Sequence, residues 1–298
     1  MALQSEMTSG IRAVTVAWLR VAGFWLLVFM TIPLLLVLRA TRSPKEKAIP
    51  ILFHRLLVRL LGFKVRVRGD MERRKGEAPI LFVSNHSSYL DIPVLGSVIP
   101  ASFVAKAEVA GWPFIGMMAR LQKTAFVERR SIRAASQRDG LREEMESGKS
   151  LILFPEGTSS DGMRTLPFKS SLLSIVEKPL QDGTFIAVQP VSVLCTEMGG
   201  FPIGRSWRPY YAWFGDMTLV KHVWDVFKIG DFTVDVIFHP AVTVQAFGNR
   251  KLLAEYCERI IAKGVDQCVT GRFEDSGLFP LPSVERENKQ EKENGVAC

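Results

Sequence analysis

Residues 21–38, VAGFWLLVFMTIPLLLVL, run for 18 positions without a charged side chain. As a straight helix such a run spans roughly 27 Å, close to the hydrocarbon thickness of a bilayer, about 30 Å. Three readings compete. A cleaved signal peptide would end in a small-x-small site, whereas here Leu38-Arg39-Ala40-Thr41-Arg42 leads straight into basic residues. A buried core helix accounts for apolar side chains all round the axis. Membrane contact is favoured, either as one span or as a hairpin that dips into one leaflet near Thr31 and Pro33, with Arg20 on the border. Trp18 and Trp25 can anchor either form at an interface or simply pack.

Charge supports the membrane. The chain has 298 residues, with 38 Lys and Arg against 30 Asp and Glu, a net charge of +8. Residues 1–75 hold 14 of those bases and four acids (Glu6, Glu46, Asp70, Glu72), hence +10, which leaves 24 bases, 26 acids and −2 for residues 76–298. The basic character therefore brackets the apolar run. A nucleic-acid binder would carry its charge on the folded domain, so nucleic acid is not an expected partner. Arg39, Arg42, Lys45 and Lys47 crowd the far side of the run, which the positive-inside rule places in the cytoplasm. Residues 49–61, IPILFHRLLVRLL, form an amphipathic pattern with His54, Arg55 and Arg59, suited to lying on anionic headgroups or to packing on a domain with a solvated basic face.

Beyond Gly62 the periodicity becomes α/β. Strands are expected at 64–68, 79–84, 103–105, 124–127, 151–154, 185–194, 210–214 and 232–239, and helices at 131–147, 218–227 and 249–268. This alternation predicts an α/β fold with a mixed, largely parallel sheet covered by helices. Three regions follow: a membrane-associating helical segment over 1–62, a domain over 63–272, and a polar tail over 273–298 that is expected to be disordered.

Cys195, Cys257, Cys268 and Cys298 form no C-x-x-C pair, so a metal site is not expected and free thiols are. Gly148-Lys149-Ser150 imitates the end of a phosphate-binding loop, but the required first glycine falls on Glu143 and the strand comes after the motif. No G-x-S-x-G is present, which argues against a hydrolase nucleophile elbow.

The segment Ser84-Asn85-His86-Ser87-Ser88-Tyr89-Leu90-Asp91 follows an apolar strand. A neutral imidazole can take a proton from an attacking hydroxyl when a carboxylate on its other nitrogen fixes the tautomer. On one ideal helix His86 and Asp91 would diverge by about 140°, so their pairing requires a turn at the histidine, which Ser87 and Ser88 suit. Phe154-Pro155-Glu156-Gly157-Thr158 places a carboxylate, a glycine and a hydroxyl after another strand. Taken alone it reads equally as an ordinary turn.

Four blocks in order, Asn85 to Asp91 (N-H-x-x-x-x-D), Phe126-Val127-Glu128-Arg129, Phe154 to Thr158 (F-P-E-G-T) and Val188-Gln189-Pro190-Val191, make the chain resemble the glycerolipid acyltransferase family that includes the 1-acylglycerol-3-phosphate acyltransferases, over roughly residues 60 to 245. The resemblance implies an αβ acyltransferase domain at the cytoplasmic face of a membrane, the bacterial inner membrane being the expected one. It implies acyl-CoA or acyl carrier protein as donor, a lysolipid as acceptor, membrane lipids as surroundings and no cofactor. Carried over by residue, His86 would be the general base, oriented by Asp91, for direct attack on the thioester. Arg129, Glu156, Gly157, Thr158 and Arg164 would meet the acceptor, with Asn85, Phe126, Pro155 and Pro190 in support.

The chain departs from the phosphate-acceptor pattern after Thr158. Those members commonly continue with arginine, whereas Ser159, Ser160, Asp161 and Gly162 follow here, and the next arginine is Arg164. Lysophosphatidate is the family's default acceptor. The 158–169 stretch and Val104-Ala-Lys-Ala-Glu-Val109 look closer to lyso-ornithine-lipid acyltransferases, which makes a lyso-ornithine lipid the alternative. A membrane-bound lipid-binding protein without chemistry is the remote one.

Overall fold

The protein is described by a computed structural model over residues 10–72, 78–127 and 134–272. One sheet organises it, from β1 (Lys64–Arg68), β2 (Ile80–Ser84), β3 (Ser102–Lys106), β4 (Ala125–Val127), β5 (Leu151–Leu153), β6 (Ala187–Met198), β7 (Phe201–Pro202) and β8 (Phe232–Phe238). The strand order is β1-β8-β6-β2-β5-β3-β4, with β7 paired to β6. Strand pairs are parallel except where β6 meets β7 and β8. This is the mixed, largely parallel sheet that the alternation of patterns predicts.

Every residue of β2, Ile-Leu-Phe-Val-Ser, is buried, as a central strand with both faces covered must be. Its side chains alternate between two cores. Ile80 and Phe82 pack with Val58, Val94, Leu95 and Val226, and Leu81 and Val83 pack with Met145, Leu173, Leu253 and Ile261 on the other side. The helices that supply these residues therefore form two layers around the sheet. They are α1 (Ile11–Ala40), α2 (Ile49–Leu60), α3 (Asp91–Val98), α4 (Ala107–Ala110), α5 (Ile115–Leu121), α6 (Ala134–Glu146), α7 (Leu219–Ile229) and α8 (Arg250–Thr270). Asn249 caps α8, its Oδ1 accepting the Lys251 and Leu252 N–H groups.

Helix α1 is longer than the uncharged run and passes through Pro33 without folding back, so the hairpin within residues 21–38 does not form. Its buried residues, Ala17, Leu27, Val28, Thr31 and Leu35, make one narrow stripe, while Leu26 is 61% and Phe29 70% exposed alongside Met30, Leu36 and Val37. The core-helix reading fails on that exposure. The helix is long and apolar enough to cross a membrane. It is nevertheless fastened to the body at both ends: Trp18 meets Trp224 edge-on at 5.3 Å, Arg20 donates to the Phe227 carbonyl, and Arg39 donates to the Leu121 carbonyl. Between these, Phe24 packs on Phe114.

Helix α2 takes the packed alternative. Phe53, His54 and Val58 are buried, His54 Nε2 lies 2.9 Å from Gln122 Oε1, and Arg55 donates to the Ser97 carbonyl at 2.9 Å. The expected strand at 210–214 is absent. Pro209 lies in a 3-10 turn (Arg208–Tyr210), and Tyr211 leaves it to enter the core against Phe63 and Phe232, so burial of the ring overrides the β preference of the aromatic run. The short helices α4 and α5 were below the length at which periodicity is readable. The tail over 273–298 and the expected first residues of the 131–147 helix lie outside the described residues.

Candidate active site

Strands β2 and β5 are parallel neighbours with Val83 opposite Leu153. Their chains leave the sheet at the same edge, so the segments 85–90 and 154–164 emerge side by side at the carboxyl ends of the strands, where α/β folds build sites. On the other side of β2, β6 continues past the point where β2 stops. Asn85 fills the gap: its Nδ2 donates to the Val193 carbonyl and its Oδ1 accepts the Val193 N–H, each at 2.8 Å. A side-chain amide thus finishes the ladder that the backbone abandons, which frees the chain to turn at His86.

That turn makes the predicted pair. His86 Nδ1 lies 3.0 Å from Asp91 Oδ2, and Asp91 opens α3, so the two residues never share a helix. The same carboxylate oxygen accepts the Ser87 and Ser88 N–H groups at 2.7 and 2.9 Å. Its other oxygen accepts from the Tyr211 hydroxyl at 3.0 Å. With these donors converging on it, Asp91 acts as an acceptor, which makes His86 Nδ1 the protonated nitrogen and leaves the lone pair on Nε2. The imidazole stacks on Phe154 with centroids 4.1 Å apart, and its side chain is 19% exposed. The arrangement can accept a proton at Nε2 from a hydroxyl presented on the open side.

The third block grips the backbone of the histidine. Glu156 Oε1 accepts the His86 N–H at 3.2 Å, and the Ser160 N–H donates to the His86 carbonyl at 2.9 Å. Burial pushes the Glu156 carboxyl up to about 8, against the pull of the His86 and Leu166 N–H groups. Its Oε2 has no hydrogen-bond partner among the described residues, which suits a neutral acid. Gly157, at φ +68°, allows the turn that returns its N–H to the Phe154 carbonyl. A Cβ there would stand 2.8 Å from Lys169 Nζ, so the lysine ammonium lies directly over the glycine. Pro155 accepts the Lys169 N–H, which ties the two ends of this loop together.

The remaining candidates distribute unevenly. Thr158 and Arg164 are exposed on the loop, and Asp161 caps its own turn by accepting the Met163 N–H. Pro190 stands on β6 beside Val83, and its carbonyl accepts the His239 N–H just beyond the end of β8, where a missing ladder donor does no harm. Phe126 is not at the cleft. It lies on edge strand β4, with β3 and β5 between it and β2. Arg129 lies outside the described residues. Cys195, Cys257 and Cys268 are buried free thiols, and burial raises the pKa of each. No group of three or more His, Cys, Asp or Glu suited to a metal ion occurs among the described residues.

Three contributors escaped the sequence reading: Tyr211 on Asp91, Ser160 on the His86 carbonyl, and Arg208, whose Nη1 donates to the Gly162 carbonyl at 3.0 Å. Tyr211 and Arg208 are more than a hundred and more than forty positions from their partners, and no local pattern links such distances.

Comparison with known proteins agrees with this geometry. The acyltransferase family model matches residues 64–194. A lyso-ornithine lipid O-acyltransferase of Brucella abortus is 36% identical over 258 residues, covering 86% of this chain and 96% of that protein. A 1-acyl-sn-glycerol-3-phosphate acyltransferase of Neisseria gonorrhoeae is 31% identical over 160 residues, covering 53% of this chain and 58% of that protein. In fold, the chain resembles the crystal structure of the 1-acyl-sn-glycerophosphate acyltransferase PlsC of Thermotoga maritima, with a TM-score of 0.60 at 22% identity over 88% of this chain and 97% of that one. Because the likeness to the Brucella protein runs through nearly its whole length and the acyltransferase model spans all four blocks, the chain belongs to the acyltransferase family.

Proposed function

We propose that this chain transfers a fatty acyl group from acyl-CoA or acyl carrier protein to the hydroxyl of a lyso-ornithine lipid. The similarity to the Brucella enzyme across 86% of the chain carries this reading. The acceptor loop supports it. Ser159 stands where phosphate-acceptor enzymes bring arginine, Asp161 follows two positions on, and Lys169 reaches over Gly157 from the far side of the same loop. A loop with both signs of charge suits an ornithine headgroup, which offers an ammonium and a carboxylate, better than a phosphate, which calls for cations alone. Lysophosphatidate is the second reading, favoured by Lys169 and Arg164 as cations and by the Neisseria relative.

In the reaction, His86 Nε2 takes the proton of the acceptor hydroxyl as its oxygen attacks the thioester carbonyl carbon. The tetrahedral adduct collapses, the carbon–sulfur bond breaks, and the imidazolium returns its proton to the departing thiolate. Asp91 holds the imidazole and balances its charge. Proton transfer of this kind contributes about 10²–10⁴-fold, and alignment of the two substrates supplies the rest. The exposed apolar side of α1, fastened to the body over about 30 Å between Trp18 and Arg39, would place the cleft at the surface of one leaflet, with the cations after Leu38 on the cytoplasmic side.

The test is acyl transfer by the full chain in lipid micelles, from acyl-CoA and from acyl carrier protein, to lyso-ornithine lipid and to lysophosphatidate. A kcat/KM at least tenfold higher for lyso-ornithine lipid, abolished by His86→Ala, is expected. Preference for lysophosphatidate would establish the second reading, and full turnover by His86→Ala would remove His86 from the mechanism.

A further inference from the structure

We infer that Tyr211 is a positioning residue of the acyl-transfer site, setting the strength of the His86 base by holding Asp91 from the side opposite the imidazole. The inference rests on the reading of His86 as base and Asp91 as its partner.

Asp91 is fully buried, and its two oxygens are served differently. Oδ2 takes His86 Nδ1 and two backbone N–H groups, whereas Oδ1 has the Tyr211 hydroxyl at 3.0 Å and only a long contact of 3.4 Å from Ser87 Oγ. Tyr211 is therefore the principal donor to Oδ1. Its ring is 2% exposed and held between Phe63 at 6.2 Å and Phe232 at 5.7 Å, which fixes the hydroxyl oxygen beside the carboxylate. Burial first, and the nearby Asp91 charge second, keep the phenol pKa well above its ordinary value, so it remains a donor throughout the working pH range.

The backbone on either side of the tyrosine is clamped to both site loops. Arg208 Nη1 donates to the Gly162 carbonyl on the acceptor loop, and the Trp213 N–H donates to the Ser87 carbonyl in the first block. Residues 208–213 thus form a strap across the two loops, with the tyrosine hydroxyl at its centre. A donor on Oδ1 draws charge away from Oδ2 and so weakens the carboxylate as a partner for the imidazolium. Removing that donor makes Asp91 more basic and His86 harder to deprotonate. The other ionisable groups around the pair are Glu156, on the His86 N–H, and Tyr89, Cys195 and Arg208 around the strap. Burial pushes the Glu156 carboxyl up to about 8, so its ionisation bears on the alkaline limb of the profile and not on the acid one.

The experiment is the pH dependence of kcat/KM for wild type, Tyr211→Phe, Asp91→Asn and the double variant, with His86→Ala as reference and thermal midpoints recorded for all. Tyr211→Phe keeps the ring and deletes only the hydroxyl. It is expected to move the acid limb upward by about 0.5–1 pH unit and to lower kcat about tenfold with the acceptor KM unchanged. Adding it to Asp91→Asn should have no further effect on the limb. A Tyr211→Phe profile that superimposes on wild type, with His86→Ala inactive, would overturn the role of Tyr211 alone. Loss of activity with a lowered midpoint and an unmoved limb would reduce Tyr211 to a packing residue and overturn it equally. Active His86→Ala would remove the underlying reading and this inference with it.

Discussion

Replacing Glu156 by glutamine tests whether the acid that grips the His86 backbone is neutral at working pH. Folding raises this carboxyl from an ordinary 4.5 to about 8, chiefly through burial. Between those values the folded protein holds a proton that the unfolded chain has released. The group's contribution to stability therefore falls as pH rises through the window and levels off above pH 8. Between pH 6 and pH 8 the linkage amounts to about 2 kcal/mol, or about 4–8 °C in thermal midpoint for a domain of this size. Glutamine keeps the carbonyl oxygen that accepts the His86 N–H and cannot ionise. The assay is thermal unfolding of wild type and Glu156→Gln in matched micelles from pH 5.5 to 8.5. The wild-type midpoint should fall more steeply than that of the variant, with the difference accumulating between pH 6 and 8. Parallel curves would show that Glu156 is either ionised or solvated, and the neutral-clasp argument would be wrong.

Asn85→Ala leaves the buried N–H and carbonyl of Val193 without partners, at a cost of about 1–3 kcal/mol each. Thermal melts should show the combined loss and hydrogen exchange a deprotected Val193 amide, while an unchanged midpoint would mean that water replaces the side-chain amide. Leu26→Asp with Phe29→Asp places two charges on the exposed side of α1 without touching its packed stripe. The variant should shift from the membrane pellet to the soluble fraction at an unchanged midpoint, and full retention in the pellet would place the membrane contact elsewhere.

Periodicity and charge determined much about this protein before any coordinates. An 18-residue uncharged run flanked by cations pointed to the membrane, because neither a cleaved signal peptide nor a buried core helix accounts for both features. The buried run before Ser84 and the repeated β/α alternation pointed to a largely parallel sheet, because a strand covered on both faces must be apolar throughout. His86 and Asp91 were legible as a candidate pair, because five positions is a local spacing, whereas Glu156 entered only through the resemblance of its block, since no local pattern links positions 86 and 156. Only the tertiary structure decided what those residues do to one another. That β2 and β5 end side by side follows from strand order, which brings Glu156 and Ser160 onto the two backbone groups of His86. The same sheet order separates Phe126 from the cleft despite its place among the four blocks. Tyr211, read as part of a strand, became the donor to Asp91 because its ring gains more from the core between Phe63 and Phe232 than from a strand pairing. Contacts between residues a hundred positions apart depend on the packing of intervening elements, and one-dimensional patterns record the tendencies of those elements but not where they meet.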